Sequence, residues 1–328
     1  MIFEVNEESE TPKFQQLVDS VTRALAEGTL DTGDQLPSVN TICKEYRLSR
    51  DTVFKAYNIL KEKGTVQSVP NKGYFIAKEN RKVFLFLDTF KAYKEVLYGG
   101  LVKNLSPNIV ADVHFHHYNT ELFKRLVEEN AGKYSKYIVM PFDNPEVGEA
   151  LKRLPANKTL IIDWDTNATD HKNRLYQNFG TAVRRELEGV ESLLRKYTKC
   201  VMLYPEFTFH PKDTVENFEA FCKDKRIPYE VQYDSQALDV KPGEMYFSVS
   251  DRMLGMVLEQ CKARNLELGA DVGVLSYNET PMKKFVDKGI TVISTDFEKM
   301  GEEAARFSNG QVSMDICVPT KITLRESL

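Results

Sequence analysis

Four consecutive residues, Ser49-Arg50-Asp51-Thr52, open an apolar-periodic run that continues through Val53, Ala56, Tyr57 and Leu60. Their side chains are short, polar or cationic, types that suit base edges and phosphates better than a protein core. A guanidinium such as that of Arg50 can pair bidentately with guanine. A second set of candidates lies further along, where carboxylates, amides and aromatics recur just beyond β-patterned runs. It comprises Asp88-Thr89-Phe90, Pro141-Phe142-Asp143-Asn144, Asp163-Trp164-Asp165, Pro205-Glu206-Phe207, Ser250-Asp251-Arg252 and Tyr277-Asn278-Glu279-Thr280. Polyol binding needs that mixture: planar acceptors for vicinal hydroxyls, and flat rings for the apolar face of a sugar. Trp164, the only tryptophan, stands in this set.

The first set must be positioned by Leu36–Leu60. Pro37 and Ser38 open one short helix, 38–46, with Val39, Ile42 and Cys43 facing inward. A turn at Tyr46-Arg47-Leu48 leads to a second helix, 49–63, with Ser49 as its N-cap. Two short helices joined by a tight turn make a helix-turn-helix. Ahead of it, Phe14, Leu17, Val18, Val21 and Leu25 predict an amphipathic helix over 12–27 that Gly28 ends. Behind it, Lys63-Gly64 closes the helix, and β-patterned pieces at 65–69 and 73–77 flank Pro70-Asn71-Lys72. A hairpin directly after a recognition helix is a wing, and its tip offers Asn71 and Lys72 to the backbone or minor groove. The net charge of −4 conceals a segregation. Residues 1–34 carry eight acids against two bases, whereas residues 35–78 carry eight bases against three acids. Screening confines phosphate attraction to about 8–10 Å, so the regional charge outweighs the total.

These pieces resemble the GntR family of bacterial transcription regulators. The resemblance rests on Pro12-Lys13-Phe14, Gly28 to Gly33, Leu36-Pro37-Ser38, Leu48-Ser49-Arg50-Asp51-Thr52-Val53, Gly64 and Gly73, and it covers nearly all of residues 11–77. It implies a winged helix-turn-helix DNA-binding domain over residues 1–78. The expected DNA-facing residues are Ser38, Asn40, Ser49, Arg50, Asp51, Thr52, Lys55, Asn71 and Lys72. Asn40 and Phe54 stand where the family often has arginine, so those two arginine contacts do not carry over and Arg50 becomes the leading base reader.

After a polar linker at 79–82, apolar β-rich runs alternate with segments of helical spacing as far as residue 328. The strands are expected at 83–87, 110–115, 137–140, 160–162, 200–204, 229–233, 246–249, 272–275 and 290–293. Helical spacing marks 93–105, 120–129, 181–197, 215–222, 252–263 and 297–307. Alternation of this kind, with near-continuous apolar strands, predicts an α/β unit of parallel sheets covered on both faces. About 245 residues suit two such lobes, with ligands held in the crevice beyond the strands' carboxyl ends.

This part resembles the effector domain of LacI-type repressors and the related sugar-binding periplasmic proteins. The residues that carry the likeness are 271–282 (DVGVLSYNETPM), 290–305 (ITVISTDFEKMGEEAA), Pro319-Thr320, Arg325-Glu326-Ser327 and Ser250-Asp251. The resemblance implies that Asn278 takes the place of an effector-binding aspartate, Ser250 that of an asparagine, and Asp163 that of a ligand-facing aspartate. The family's effector-binding arginine has no clear counterpart. The expected effector-binding residues are Phe90, Asp143, Asp163, Trp164, Ser250, Asp251 and Asn278.

Composition narrows the remaining classes. A hydrophobic content of 42% and a charged content of 28% are ordinary for a globular protein. No apolar run approaches a membrane span, and the acidic start is unlike a signal peptide, so a cytoplasmic location is expected. Five widely spaced cysteines without a CxxC pair read as reduced thiols. His114, His116 and His117 lack partners at metal-ligand spacing, and no nucleophile motif or phosphate loop is present. No catalytic residue, metal or cofactor is therefore expected. Together these readings describe a homodimeric regulator whose partners are double-stranded operator DNA and a small effector, a sugar or sugar derivative that releases repression. A sugar-processing enzyme fused to a DNA-binding module and a ligand-free docking domain are the alternatives.

Overall fold

The computed structural model describes residues 3–7, 9, 11–26, 29–31, 33–62, 65–70, 72–77, 81–164, 171–311 and 313–328. The chain divides into two compact units, 1–81 and 82–328.

The first unit contains helices α1 (Lys13–Ala26), α2 (Val39–Tyr46) and α3 (Arg50–Glu62), followed by strands β1 (Val66–Val69) and β2 (Gly73–Ile76). The strands pair antiparallel, Val66 opposite Ile76 and Val69 opposite Gly73. The apolar stripes read from the sequence meet in one core. Leu17, Val18 and Val21 of α1, Ile42 of α2 and Val53, Ala56, Tyr57 and Leu60 of α3 are fully buried there. Tyr57 fastens the second helix to the third, because its hydroxyl donates to the Pro37 carbonyl at 2.6 Å. The predicted stops at Gly28 and Lys63-Gly64 lie outside the described residues.

The second unit opens with β3 (Arg81–Leu87), α4 (Ala92–Asn104), β4 (Ile109–Phe115), α5 (Thr120–Asn130), β5 (Lys136–Val139), α6 (Pro145–Leu151), β6 (Thr159–Asp163) and β7 (Arg174–Tyr176). It continues with α7 (Thr181–Gly189), α8 (Glu191–Leu194), β8 (Lys199–Leu203), α9 (Asp213–Lys225), β9 (Tyr229–Gln232), β10 (Glu244–Ser248), α10 (Asp251–Ala263) and β11 (Gly273–Tyr277). It closes with β12 (Thr291–Thr295), α11 (Phe297–Ser308), β13 (Asp315–Cys317) and β14 (Thr320–Thr323). One six-stranded sheet has the order β13-β7-β6-β5-β3-β4, the other β14-β12-β11-β10-β8-β9. The β12/β14 pair is antiparallel, while β5/β6, β6/β7, β8/β10 and β10/β11 are parallel. This is the expected two-lobed parallel α/β architecture.

Alternation along the strands explains why both faces of each sheet are covered. Val83, Leu85 and Leu87 join one core, and Phe84 and Phe86 join the core on the opposite face. In the other lobe Met245 and Phe247 face one core, and Tyr246 faces the other.

Several expectations are corrected. Lys82, assigned to the linker, already belongs to β3, where its carbonyl accepts from the backbone N–H of Ser135. A single helix over 181–197 breaks after Gly189, where Val190 leaves the helical region at φ −118°. Three elements escaped the sequence reading. Helix α6 is capped by Asn144 and begins on Pro145, while β7 and β13 are three-residue strands too short for any periodic signal. Among the described residues, no helix is long and apolar enough to cross a membrane.

Helix α11 leaves the second lobe's β12 and packs on α4 of the first. The approach is very close: a Cβ on Gly100 would stand 2.5 Å from the Glu298 carbonyl oxygen, and one on Gly301 would overlap that of Leu97. Gly301→Ala should therefore destabilise the second unit by about 1–3 kcal/mol through overpacking. Gly99→Ala, where a Cβ meets nothing within 4 Å, should cost nothing or stabilise by up to about 1 kcal/mol. Urea unfolding of the two variants checks this contrast.

Candidate functional site

In the first unit the predicted DNA-facing residues gather on the helix-turn-helix, and most of them first build it. Ser38 caps α2, accepting from the Thr41 N–H at 3.1 Å. Ser49 caps α3, accepting from the Thr52 N–H at 3.2 Å, and its hydroxyl lies 2.8 Å from that of Thr52. The turn between the helices is made by Arg47 in the left-handed region at φ +51°. Asp51 occupies the first turn of α3, where a carboxylate complements the helix dipole.

Arg50 and Asn40 are brought together: the guanidinium Nη2 donates to Asn40 Oδ1 at 2.7 Å. One of the five guanidinium donors is thus committed to aiming the side chain. Lys55 is engaged with α1. Its ammonium lies 3.9 Å above the ring of Phe14 on α1, which fixes its charge at the α1 side of α3. Lys72 is exposed on the β1–β2 turn, which is closed by its own N–H to the Val69 carbonyl and by the Gln35 amide donating to the Lys72 carbonyl. Asn71 lies outside the described residues.

In the second unit the lobes meet around Gln177, a residue the sequence reading did not single out. It follows β7, on the first of three strands that cross between lobes. Its Nε2 donates to Asp163 Oδ1, and its Oε1 accepts from the Tyr277 hydroxyl at 2.9 Å and from Thr295 Oγ1 at 2.7 Å. Thr295 Oγ1 lies 2.7 Å from Thr320 Oγ1. Since Thr295 gives its single proton to Gln177, Thr320 is the donor of that contact. Asp163, Gln177, Thr295 and Thr320 are all buried.

A cleft of about 800 Å³ opens beside this knot, lined by Phe142, Asp143, Asn144, Trp164, Tyr176, Gln177, Asn178, Phe179, Tyr204, Phe209, His210, Lys212 and Asp213. Flat rings, carboxylates and amides converge there, the complement of a hydroxylated ring with one apolar face. Of the predicted effector residues, Asp143 and Trp164 line the cleft, and Asp163 sits beneath it through Gln177. Phe90, Ser250, Asp251 and Asn278 do not line it. Phe90 is 73% exposed and packs edge-on to Phe115. The other three lie at the ends of β10 and β11, where a lysine that sequence reasoning missed ties Asp251 to Asn278. Lys283 donates to the carbonyls of Tyr277 and Asn278 at 3.0 and 2.7 Å and pairs with Asp251 at 2.7 Å.

Across the cleft, Tyr118 of the first lobe stacks on Phe209 of the second, with centroids 3.8 Å apart and planes 4° from parallel. The Tyr118 hydroxyl donates to Asp88, whose other carboxylate oxygen pairs with buried Lys94. Burial pushes the Lys94 ammonium down to about 7, against the opposing pull of the Asp163 carboxylate. Burial likewise raises Asp163 above the usual carboxylate range, with the Gln177 hydrogen bond opposing it.

His116 is a core histidine rather than a metal ligand. It is fully buried, its Nε2 lies 2.9 Å from the Met140 carbonyl, and its Nδ1 accepts from the Tyr118 N–H at 3.2 Å. Only the neutral ring protonated at Nε2 satisfies both partners. Burial pushes it down to about 4. Among the described residues, no three His, Cys, Asp or Glu side chains group as a metal site. Between pH 6.5 and 4 the unfolded chain holds a proton at this site that the folded chain refuses, so stability falls as pH falls. Urea unfolding at pH 6.5 and 4.5 should show His116→Phe losing about 2 kcal/mol less than the parent over that interval. Equal losses would mean that the folded ring takes up the proton.

Residues 13–76 match the family of bacterial regulatory proteins, gntR family, and residues 205–328 match the periplasmic binding protein-like domain. YydK of Bacillus subtilis (strain 168), an uncharacterized HTH-type transcriptional regulator, is 29% identical over 85 residues, 26% of this chain and 36% of that protein. The chain thus spans about a third of that relative's length. YtrA, an HTH-type transcriptional repressor of the same organism, is 28% identical over 96 residues, 29% of this chain and 73% of YtrA. Among solved structures, a LacI family transcriptional regulator from Lactobacillus casei with bound glucose superposes with a TM-score of 0.62 at 14% identity, covering 75% of this chain and 100% of that one. The chain therefore joins a GntR-family helix-turn-helix domain to a periplasmic-binding-protein-like domain with the fold of LacI-family regulators.

Proposed function

We propose that this chain is a ligand-responsive transcription regulator: a non-enzymatic, cytoplasmic repressor that a sugar or sugar derivative releases from operator DNA. The observation that carries this reading is the pairing, on one chain, of an exposed cationic reading helix with a two-lobed unit closed around an aromatic and polar cleft. Residues 1–78 read DNA and residues 83–328 bind the effector. Arg50, steadied by Asn40, reads a base edge, while Ser38, Ser49, Thr52, Lys55, Asn71 and Lys72 meet backbone and groove.

In the effector unit, Trp164 and Asp143 hold the ligand directly. Asp163 supports it through Gln177, and Phe90, Ser250, Asp251 and Asn278 stand outside the cleft lining. The glucose held by the L. casei neighbour is in keeping with a sugar, and the name of YtrA with repression. Two copies associate through the second unit, where Tyr98 and Val102 stand exposed one turn apart on α4. They present two recognition helices to half-sites about 34–36 Å apart.

An operator selected from a randomised duplex library and a thermal-shift screen of neutral sugars test this reading. Arg50→Ala should weaken operator binding by about 1–3 kcal/mol and relax preference at one base pair, while leaving the sugar response intact. Trp164→Ala should abolish the sugar-induced shift and leave operator affinity at the parent's value. An Arg50→Ala protein with parental operator binding, or a Trp164→Ala protein with the parental shift, contradicts the corresponding half.

A further inference from the structure

We propose that Phe54 reads the 5-methyl group of a thymine, making α3 selective for a T·A pair close to the pair addressed by Arg50. The inference rests on the reading of α3 as the helix that enters a major groove. Phe54 is 42% exposed, and among the described residues it is the only exposed large apolar side chain in the first unit. The core beneath does not need it, since Val53, Ala56, Tyr57 and Leu60 fill the inner stripe of α3 and are fully buried.

The surroundings of Phe54 select its occupant. Arg50 stands one turn before it, and Asn58 and Lys61 stand one and two turns after it, all exposed. A single ring flanked by cations and an amide is poorly matched to an apolar protein face, which would bury those charges unpaired. It is well matched to a groove whose rims are phosphates. Within the major groove each base edge offers donors and acceptors, and thymine alone adds a methyl group. An apolar side chain lying there has that one favourable partner. The four-residue spacing from Arg50 to Phe54 is about 6 Å along the helix, less than two base-pair steps of about 3.4 Å. The thymine therefore lies within two base pairs of the pair that Arg50 reads.

The test uses the full chain and duplexes it retains from a randomised library. Each thymine of the selected operator is replaced singly by deoxyuridine, which removes the methyl group and nothing else. At one thymine in each half-site, within two pairs of the position where Arg50→Ala loses base preference, the replacement should weaken the parent about fourfold, the worth of one buried methyl group. Phe54→Ala should bind the thymine duplex at least that much more weakly and no longer distinguish thymine from deoxyuridine. Phe54→Leu should keep part of the discrimination. If Phe54→Ala retains the parent's penalty at every thymine, or if the parent is indifferent to every methyl group, the inference is overturned while the DNA-binding reading stands. If the library yields no retained duplex, that reading falls and this inference with it.

Discussion

The amide of Gln177 carries the constraint on which the effector unit depends. The chain passes between the lobes three times, after β7, after β12 and after β13, and the three crossings are joined by Gln177, Thr295 and Thr320 within one buried hydrogen-bond chain. Asp163 from the end of β6 and Tyr277 from the end of β11 complete it. Each of these groups would cost about 1–3 kcal/mol if left buried without its partner. Any rearrangement of the lobes must therefore carry the knot with it or exchange its bonds for others. Gln177 also lines the cleft, so a ligand hydroxyl placed there competes for or extends the same network. The cleft wall and the interlobe crossings thus share one side chain.

The reading unit has its own economy of polar groups. Ser38, Ser49 and Thr52 spend their hydroxyls on the exposed N-termini of α2 and α3, which fixes the start of each helix and the turn between them. Tyr57 then locks α3 to the beginning of α2. With the backbone held in this way, Arg50 needs only Asn40 to give it a direction. Rigid placement of a few side chains is what converts a cationic surface, which binds any phosphate backbone, into one that distinguishes base pairs.

Much of this was legible in the sequence because its signals are local. The cap at Ser49, the inner stripe Val53-Ala56-Tyr57-Leu60 and the apolar strands 83–87 and 272–275 declare themselves through spacing, and each sits as spacing demands. The strand-end rule found Asp143 and Trp164 in the cleft wall, yet it placed Phe90, Ser250, Asp251 and Asn278 with them although they lie elsewhere. Strand ends point toward the crevice as a class, but which of them line a given cavity depends on lobe packing, a long-range property. Gln177, Lys94 and Lys283 were missed for the same reason. Their partners are distant in sequence, as when Gln177 meets Tyr277 and Thr295, and nothing local marks a polar residue as the centre of a buried network. The pairing of Arg50 with Asn40 was equally hidden, although the absence of arginine at position 40 left room for it.

Coupling between the cleft and the reading helix is a difference in free energy that must act equally in both directions. Its most direct test is the operator dissociation constant of the full chain, measured by fluorescence anisotropy with and without a saturating sugar that stabilises the chain. The sugar should weaken operator binding at least about fivefold, and the operator should weaken sugar binding by the same factor. An operator affinity that is the same with and without the bound sugar would contradict it.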